Sequence, residues 1–199
     1  MVLPSSNRRL VLGSVAALCA ALTGCKSSEL SFNSTDITGA SFARDFKLTD
    51  HEGNSRQLSD FAGKVLVVFF GFTFCPDICP TTLAQMKAVR ESLSPEEQER
   101  MQVVFITVDP ERDTAEVLSN YVPAFDPSFV GLHGTVDEIK AAASEFKVFF
   151  AKVPGRTEGS YTMDHTAASY VFDKKGQVRL MVRHNAMTEA ITSDIKQLL

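Results

Sequence analysis

Lys64-Val65-Leu66-Val67-Val68-Phe69-Phe70 runs directly into Gly71-Phe72-Thr73-Phe74-Cys75-Pro76-Asp77-Ile78-Cys79-Pro80. The unbroken run of aliphatic and aromatic residues, with no polar alternation, is the pattern of a strand buried on both faces. A glycine and two prolines then interrupt it. From Pro80 to Leu93 the residues Leu83, Met86, Val89 and Leu93 recur at helical spacing, with Pro80 in the first turn. A buried strand, a cysteine-bearing loop and a helix make an α/β unit. In such sheets reactive groups sit beyond the carboxyl ends of the strands.

Downstream, Val103–Val108 reads as a second buried strand, and Asp113-Thr114-Ala115-Glu116 has capping-box spacing, with Asp113 as the cap of a helix ending near Pro123. Phe129–Leu132 reads as a short strand, Val136–Phe146 as a helix and Val148–Val153 as a strand. Ala168–Phe172 and Val178–Val182 flank Asp173-Lys174-Lys175-Gly176, a hairpin signal, and Thr188–Leu198 closes the chain as a helix. Upstream, Phe42–Asp50 alternates apolar and polar residues before the turn cluster His51-Glu52-Gly53-Asn54, which predicts an early hairpin. The order implies an α/β fold: a central mixed β-sheet flanked by helices, with an N-terminal hairpin extension.

The chain has 199 residues, of which 44% are hydrophobic and 22% charged, a composition of one globular domain that excludes disordered and coiled-coil chains. A net charge of −4 argues against a nucleic-acid partner. Arg8 and Arg9 precede the uncharged run Leu10–Ala21, which has the form of a signal peptide. It ends in Leu22-Thr23-Gly24-Cys25, which looks like a bacterial lipobox, with cleavage before Cys25 and lipid on its thiol. The Arg8-Arg9-Leu10-Val11-Leu12 run also suggests twin-arginine export.

The expected organisation is a leader over 1–24, a Ser/Thr/Asn-rich tether over 25–41 and a domain over 42–199. The expected location is the bacterial cell envelope, lipid-anchored and facing the periplasm. Losing residues 1–24 removes two arginines and no acid, so the mature charge becomes −6. Cys19 leaves with the leader and Cys25 becomes the anchor. Of 4 cysteines, Cys75 and Cys79 remain as thiols, in a compartment that favours oxidation.

Four residues of separation place Cys75 and Cys79 on one side of the first helical turn, where the helix N-terminus favours thiolates. That motif alone serves redox enzymes and metal sites equally. Asp164-His165, at the entry to the strand beginning near Ala168, adds an imidazole. Two thiolates and one imidazole form a soft three-coordinate site that suits Cu(I) and accepts a further ligand for Cu(II). Structural zinc takes four protein ligands, and neither a third cysteine nor a second nearby histidine offers one. Asp164 could orient the imidazole or cap the strand, and Met163 could offer a thioether or fill the core. His51, His133 and His184 sit in turn or loop contexts with no such company. Asp109 lies at the crevice edge, with a turn-forming role as the simpler alternative. Phe72 and Phe74 are candidates for shielding the site or forming a docking face.

Cys75-Pro76-Asp77-Ile78-Cys79-Pro80, then Val108-Asp109-Pro110-Glu111-Arg112-Asp113-Thr114, then Asp164-His165, together resemble the Sco/SenC family from about Phe42 to the C-terminus. The resemblance implies a thioredoxin-like fold and a membrane-tethered copper chaperone for the dinuclear copper centre of cytochrome c oxidase. It implies Cys75, Cys79 and His165 as copper ligands, with Asp77 and Asp164 as family-typical neighbours. The implied partners are the copper-site subunit of the oxidase and another periplasmic copper chaperone or thiol reductant.

Three other readings use the same residues. A thiol–disulfide oxidoreductase would need the cysteines but not His165. Against it as sole role, three residues separate the cysteines where thioredoxins have two, and no proline lies near His165. Phe72-Thr73-Phe74-Cys75-Pro76 is similar to peroxiredoxins, but Phe72 stands where they need a threonine and Val68 where they have a proline. A copper buffer or redox sensor without an oxidase client is the third.

Overall fold

The computed structural model describes residues 30–199, of which 31–199 form one compact unit. The leader over 1–24 and the lipidation candidate Cys25 lie outside the described residues. Among the described residues no helix is long and apolar enough to cross a membrane.

Two seven-residue strands with every residue buried, β4 (Val65–Gly71) and β5 (Met101–Thr107), run parallel at the centre. Strand β6 (Val130–His133) extends the parallel set beyond β5. On the other side β9 (Ala168–Phe172) pairs antiparallel with β4, and β10 (Val178–Arg183) antiparallel with β9. The early hairpin, β2 (Lys47–Asp50) and β3 (Ser55–Gln57), closes the β6 edge. With β1 (Thr35–Asp36) the sheet has eight strands, ordered β1-β10-β9-β4-β5-β6-β2-β3. The expected mixed sheet and hairpin extension are therefore present.

Among the described residues five α-helices accompany these strands: α1 (Ile78–Glu91), α2 (Pro95–Glu99), α3 (Ala115–Tyr121), α4 (Val136–Glu145) and α5 (Thr188–Leu198). Helices α1 and α5 pack together, each turning buried residues inward: Leu83, Met86 and Val89 on one, Ile191 and Ile195 on the other. At the far side of the core, Phe146 is ringed by Phe46, Phe70, Tyr170 and Phe172 at centroid distances of 5.2–6.4 Å. Packed aromatic edges of this kind fill one face of the sheet.

Part of the expected tether belongs to the domain. Thr35 and Asp36 pair with Met181 and Leu180, and Ile37 N–H bonds the Arg179 carbonyl at 2.8 Å. Asp194 of α5, fully buried, accepts from the Asn33 and Ser34 amides at 2.8 Å each and from Asn33 Nδ2 at 3.0 Å. The polar residues that read as linker are satisfied by a carboxylate about 160 positions away, so no local apolar pattern is needed to fix them.

A second difference lies at Tyr161–His165, which reads as the approach to a strand but is itself strand β8. It pairs antiparallel with β7 (Phe150–Pro154) in a separate two-stranded sheet, with His165 opposite Phe150. The alternation Tyr161/Met163/His165 against Thr162/Asp164 is a period-2 signal of this strand.

Candidate metal centre

Strand β4 ends at Gly71 because the next residues have other partners. Val108 N–H takes the Gly71 carbonyl at 2.8 Å, and Cys75 N–H takes the Phe72 carbonyl at 3.3 Å. Helix α1 begins at Ile78, two residues before Pro80, so Cys79 lies within its first turn and Cys75 in the loop ahead of it. Cys75 Sγ accepts the Cys79 amide at 3.5 Å. It thereby occupies one of the free N–H groups of the helix start. Both thiols are free; Cys75 is half-buried and Cys79 is fully buried.

His165, at the end of β8, brings Nε2 to 3.6 Å from Cys79 Sγ. Its Nδ1 lies 3.1 Å from the Thr166 carbonyl. A carbonyl can only accept, so Nδ1 carries the proton and the Nε2 lone pair faces the sulfur. The edges of Phe69 and Phe72 meet the ring at centroid distances of 6.1 and 5.9 Å. Burial holds the imidazole below its ordinary range, against the opposing pull of the Thr166 hydrogen bond and the Asp164 charge.

Burial also pushes the Cys79 thiol well up, only partly countered by a hydrogen bond from the Phe72 backbone. For Cys79 this direction opposes the thiolate that the sequence leads one to expect. Burial disfavours the charged thiolate and favours the protonated thiol at Cys79. An ion binding there must displace that proton.

The acidic candidates fall into different places. Asp113 does not cap α3; Thr114 does, its Oγ1 accepting Val117 N–H at 3.3 Å. Asp113 is instead completely buried, accepting from Thr73 N, Thr73 Oγ1 and Thr107 Oγ1 at 3.0, 2.6 and 2.6 Å. It thus anchors the loop two residues before Cys75. Asp109 is buried too, bonded to Arg112 Nε and to Tyr161 Oη, the latter at 2.9 Å. Asp77 is exposed and takes Thr81 Oγ1 at 3.3 Å. Asp164 points outward from β8, and the orienting group on the imidazole is the Thr166 carbonyl rather than this carboxylate.

Met163 is buried in the core, and Phe72 packs beside His165, whereas Phe74 is 61% exposed with the Arg112 guanidinium 4.8 Å from its ring centroid. His51 takes Gly131 N–H at 3.0 Å, a purely structural bond on the β2–β6 edge. Among the described residues no three His, Cys, Asp or Glu side chains already surround one ion position. Cys79 and His165 are in contact, and Cys75 Sγ is turned onto the Cys79 amide. Gly71, Thr73, Arg112, Tyr161 and Thr166 carry no site signal in the sequence, because they act through backbone atoms or through partners far along the chain.

A profile of the SCO1/SenC family matches residues 34–199. The chain belongs to the SCO1/SenC family.

Among its relatives, a SCO2-like protein of Rickettsia felis is 40% identical over 134 residues, 67% of this chain and 65% of that one. This chain therefore spans slightly less than two thirds of that relative's length. The solution structure of apo Sco1 from Thermus thermophilus superimposes with a TM-score of 0.78 at 41% identity, covering 86% of this chain and 99% of the other. Bradyrhizobium japonicum ScoI, solved with copper bound, gives a TM-score of 0.71 at 37% identity over 78% and 98% of the two chains. The fold is thus the thioredoxin-like one of the Sco proteins.

Proposed function

We propose that this chain is a copper chaperone that takes its cargo ion through Cys75, Cys79 and His165 and delivers it to the dinuclear copper site of cytochrome c oxidase. The observation that carries this reading is the contact of Cys79 Sγ with Nε2 of His165 at 3.6 Å, at the corner that also holds Cys75. Two sulfurs and one imidazole are a donor set suited to Cu(I), with room for a further ligand to Cu(II). That a family member at 37% identity was solved with copper bound supports the same cargo here.

Binding would release the proton that burial keeps on Cys79. Delivery requires the site to let go, through ligand exchange with a partner's donors or oxidation of the cysteine pair. The lipobox-like Cys25 would tether the domain to the membrane with the site facing the periplasm. The partners would be the copper-site subunit of the oxidase and a periplasmic copper donor or thiol reductant. Deleting the gene should leave the oxidase short of copper, with rescue by excess copper. An oxidase fully loaded without the gene would remove the client from the proposal and leave a copper buffer or sensor.

The exposure of the two thiols favours one ancillary reading. Cys75 is reachable and Cys79 is not, the asymmetry of an attacking and a resolving thiol in disulfide exchange. Reduction of a partner's disulfide that survives His165→Ala and fails with Cys75→Ser would establish it.

A further inference from the structure

The β7–β8 hairpin that carries His165 shares no strand pairing with the main sheet. Among the described residues, the hydrogen bonds and ion pairs leading from residues 149–166 to the rest of the domain reach only four residues. One is Cys79, through His165 itself. The other three, Asp109, Glu111 and Arg112, all lie in the short loop after β5.

Arg112 is the centre of that loop. Its Nε bonds the buried carboxylate of Asp109, and its Nη1 bonds the Tyr161 carbonyl at 3.0 Å. Its Cζ lies 3.7 Å from the Tyr161 ring centroid, and the Tyr161 hydroxyl returns to Asp109 at 2.9 Å. A planar guanidinium can stack on a ring and donate in its own plane at the same time; an ammonium cannot. Lys152 of β7 adds an ion pair to Glu111 at 2.6 Å, but both partners are about half exposed, and such pairs contribute little. One residue further on, Asp113 grips Thr73 in the cysteine loop. A single run of five residues therefore holds both halves of the candidate centre.

We propose that Arg112 is a positioning residue that sets the β7–β8 hairpin, and with it His165, against the cysteine loop. The metal part of this inference rests on the Cys75/Cys79/His165 reading; the mechanical part does not. Arg112 fixes Tyr161 at one end of a five-residue strand, and rigidity of the paired strand carries that placement to His165 at the other end.

The test uses the purified full-length protein, first without metal. In Arg112→Gln, backbone amides of Phe150–Pro154 and Tyr161–His165 should exchange hydrogen about tenfold faster, as expected for losing the charge-assisted hydrogen bond to the Tyr161 carbonyl, while β4 amides keep their protection. Arg112→Lys keeps a positive charge beside Asp109 without the planar fork. It should retain the thermal midpoint and still loosen the hairpin. Unchanged hairpin exchange in both variants, or equal acceleration throughout the domain, would overturn the proposal.

The second arm titrates Cu(I) against a competing chelator in four proteins: wild type, Arg112→Gln, His165→Ala and the double variant. Arg112→Gln should weaken copper binding in the wild-type background and add nothing once His165 is gone. Equal losses in both backgrounds would overturn the coupling to His165. If His165→Ala alone left affinity unchanged, the Cys/Cys/His reading would fall, and the metal-free exchange result would still decide the clamp.

Discussion

Cys79 Sγ rests directly over Gly71: a Cβ at position 71 would stand 2.8 Å from the sulfur, 2.7 Å from Phe105 Cε2 and 2.9 Å from Phe69 Cε1. The absence of a side chain at the end of β4 is what lets the first turn of α1 seat its cysteine on the sheet. The surrounding atoms are themselves buried, so they cannot yield freely.

Gly71→Ala should therefore do two things. Overpacking should cost about 1 to 3 kcal/mol of stability, read as a lower urea midpoint. The displaced sulfur should also weaken copper binding in chelator competition. Wild-type stability with wild-type affinity would show that the sulfur can shift at no cost.

The Asp194 clamp gives a prediction remote from the metal. Asp194→Ala leaves the Asn33 and Ser34 donors without their carboxylate. It should destabilise the domain by about 1 to 3 kcal/mol. Limited proteolysis should then cut N-terminal to Phe42 first. Unchanged stability together with unchanged cleavage would contradict the clamp.

The buried imidazole makes metal-free stability depend on pH. Burial holds His165 below its ordinary value of 6.5 in the folded protein. Below about pH 6.5 the unfolded chain accordingly accepts a proton at this position that the native state resists. Stability should fall as the pH drops through that window, until the folded imidazole titrates as well. His165→Asn lacks the group and should lose this part of the slope. Urea midpoints compared between about pH 7.5 and about pH 5 would check it; parallel profiles for the two proteins would contradict it.

These predictions differ in how far the sequence foreshadows them. Strands β4 and β5 are legible because each is an unbroken apolar run, and helix α1 because Leu83, Met86 and Val89 fall on one face. Cys75 and Cys79 are legible because they share one short loop. His165 is a bare histidine until the family motifs around it are read together. Asp113 misleads, because its spacing to Glu116 fits a capping box while its buried partners, Thr73 and Thr107, come from two other segments. The Thr166 carbonyl that fixes the His165 tautomer is a backbone atom, which no residue type announces. Arg112 and Tyr161 stand 49 positions apart, and only the folded chain joins them.

The most direct test of the central claim is copper binding by the purified chain in a Cys19→Ser, Cys25→Ser background, with Cys75 and Cys79 fully reduced. Cu(I) and Cu(II) would each be titrated against a competing chelator, beside Cys75→Ser, Cys79→Ser and His165→Ala. One tightly held copper per chain is expected, lost or sharply weakened in each variant. Binding that is weak in the starting protein, or indifferent to His165, would contradict it.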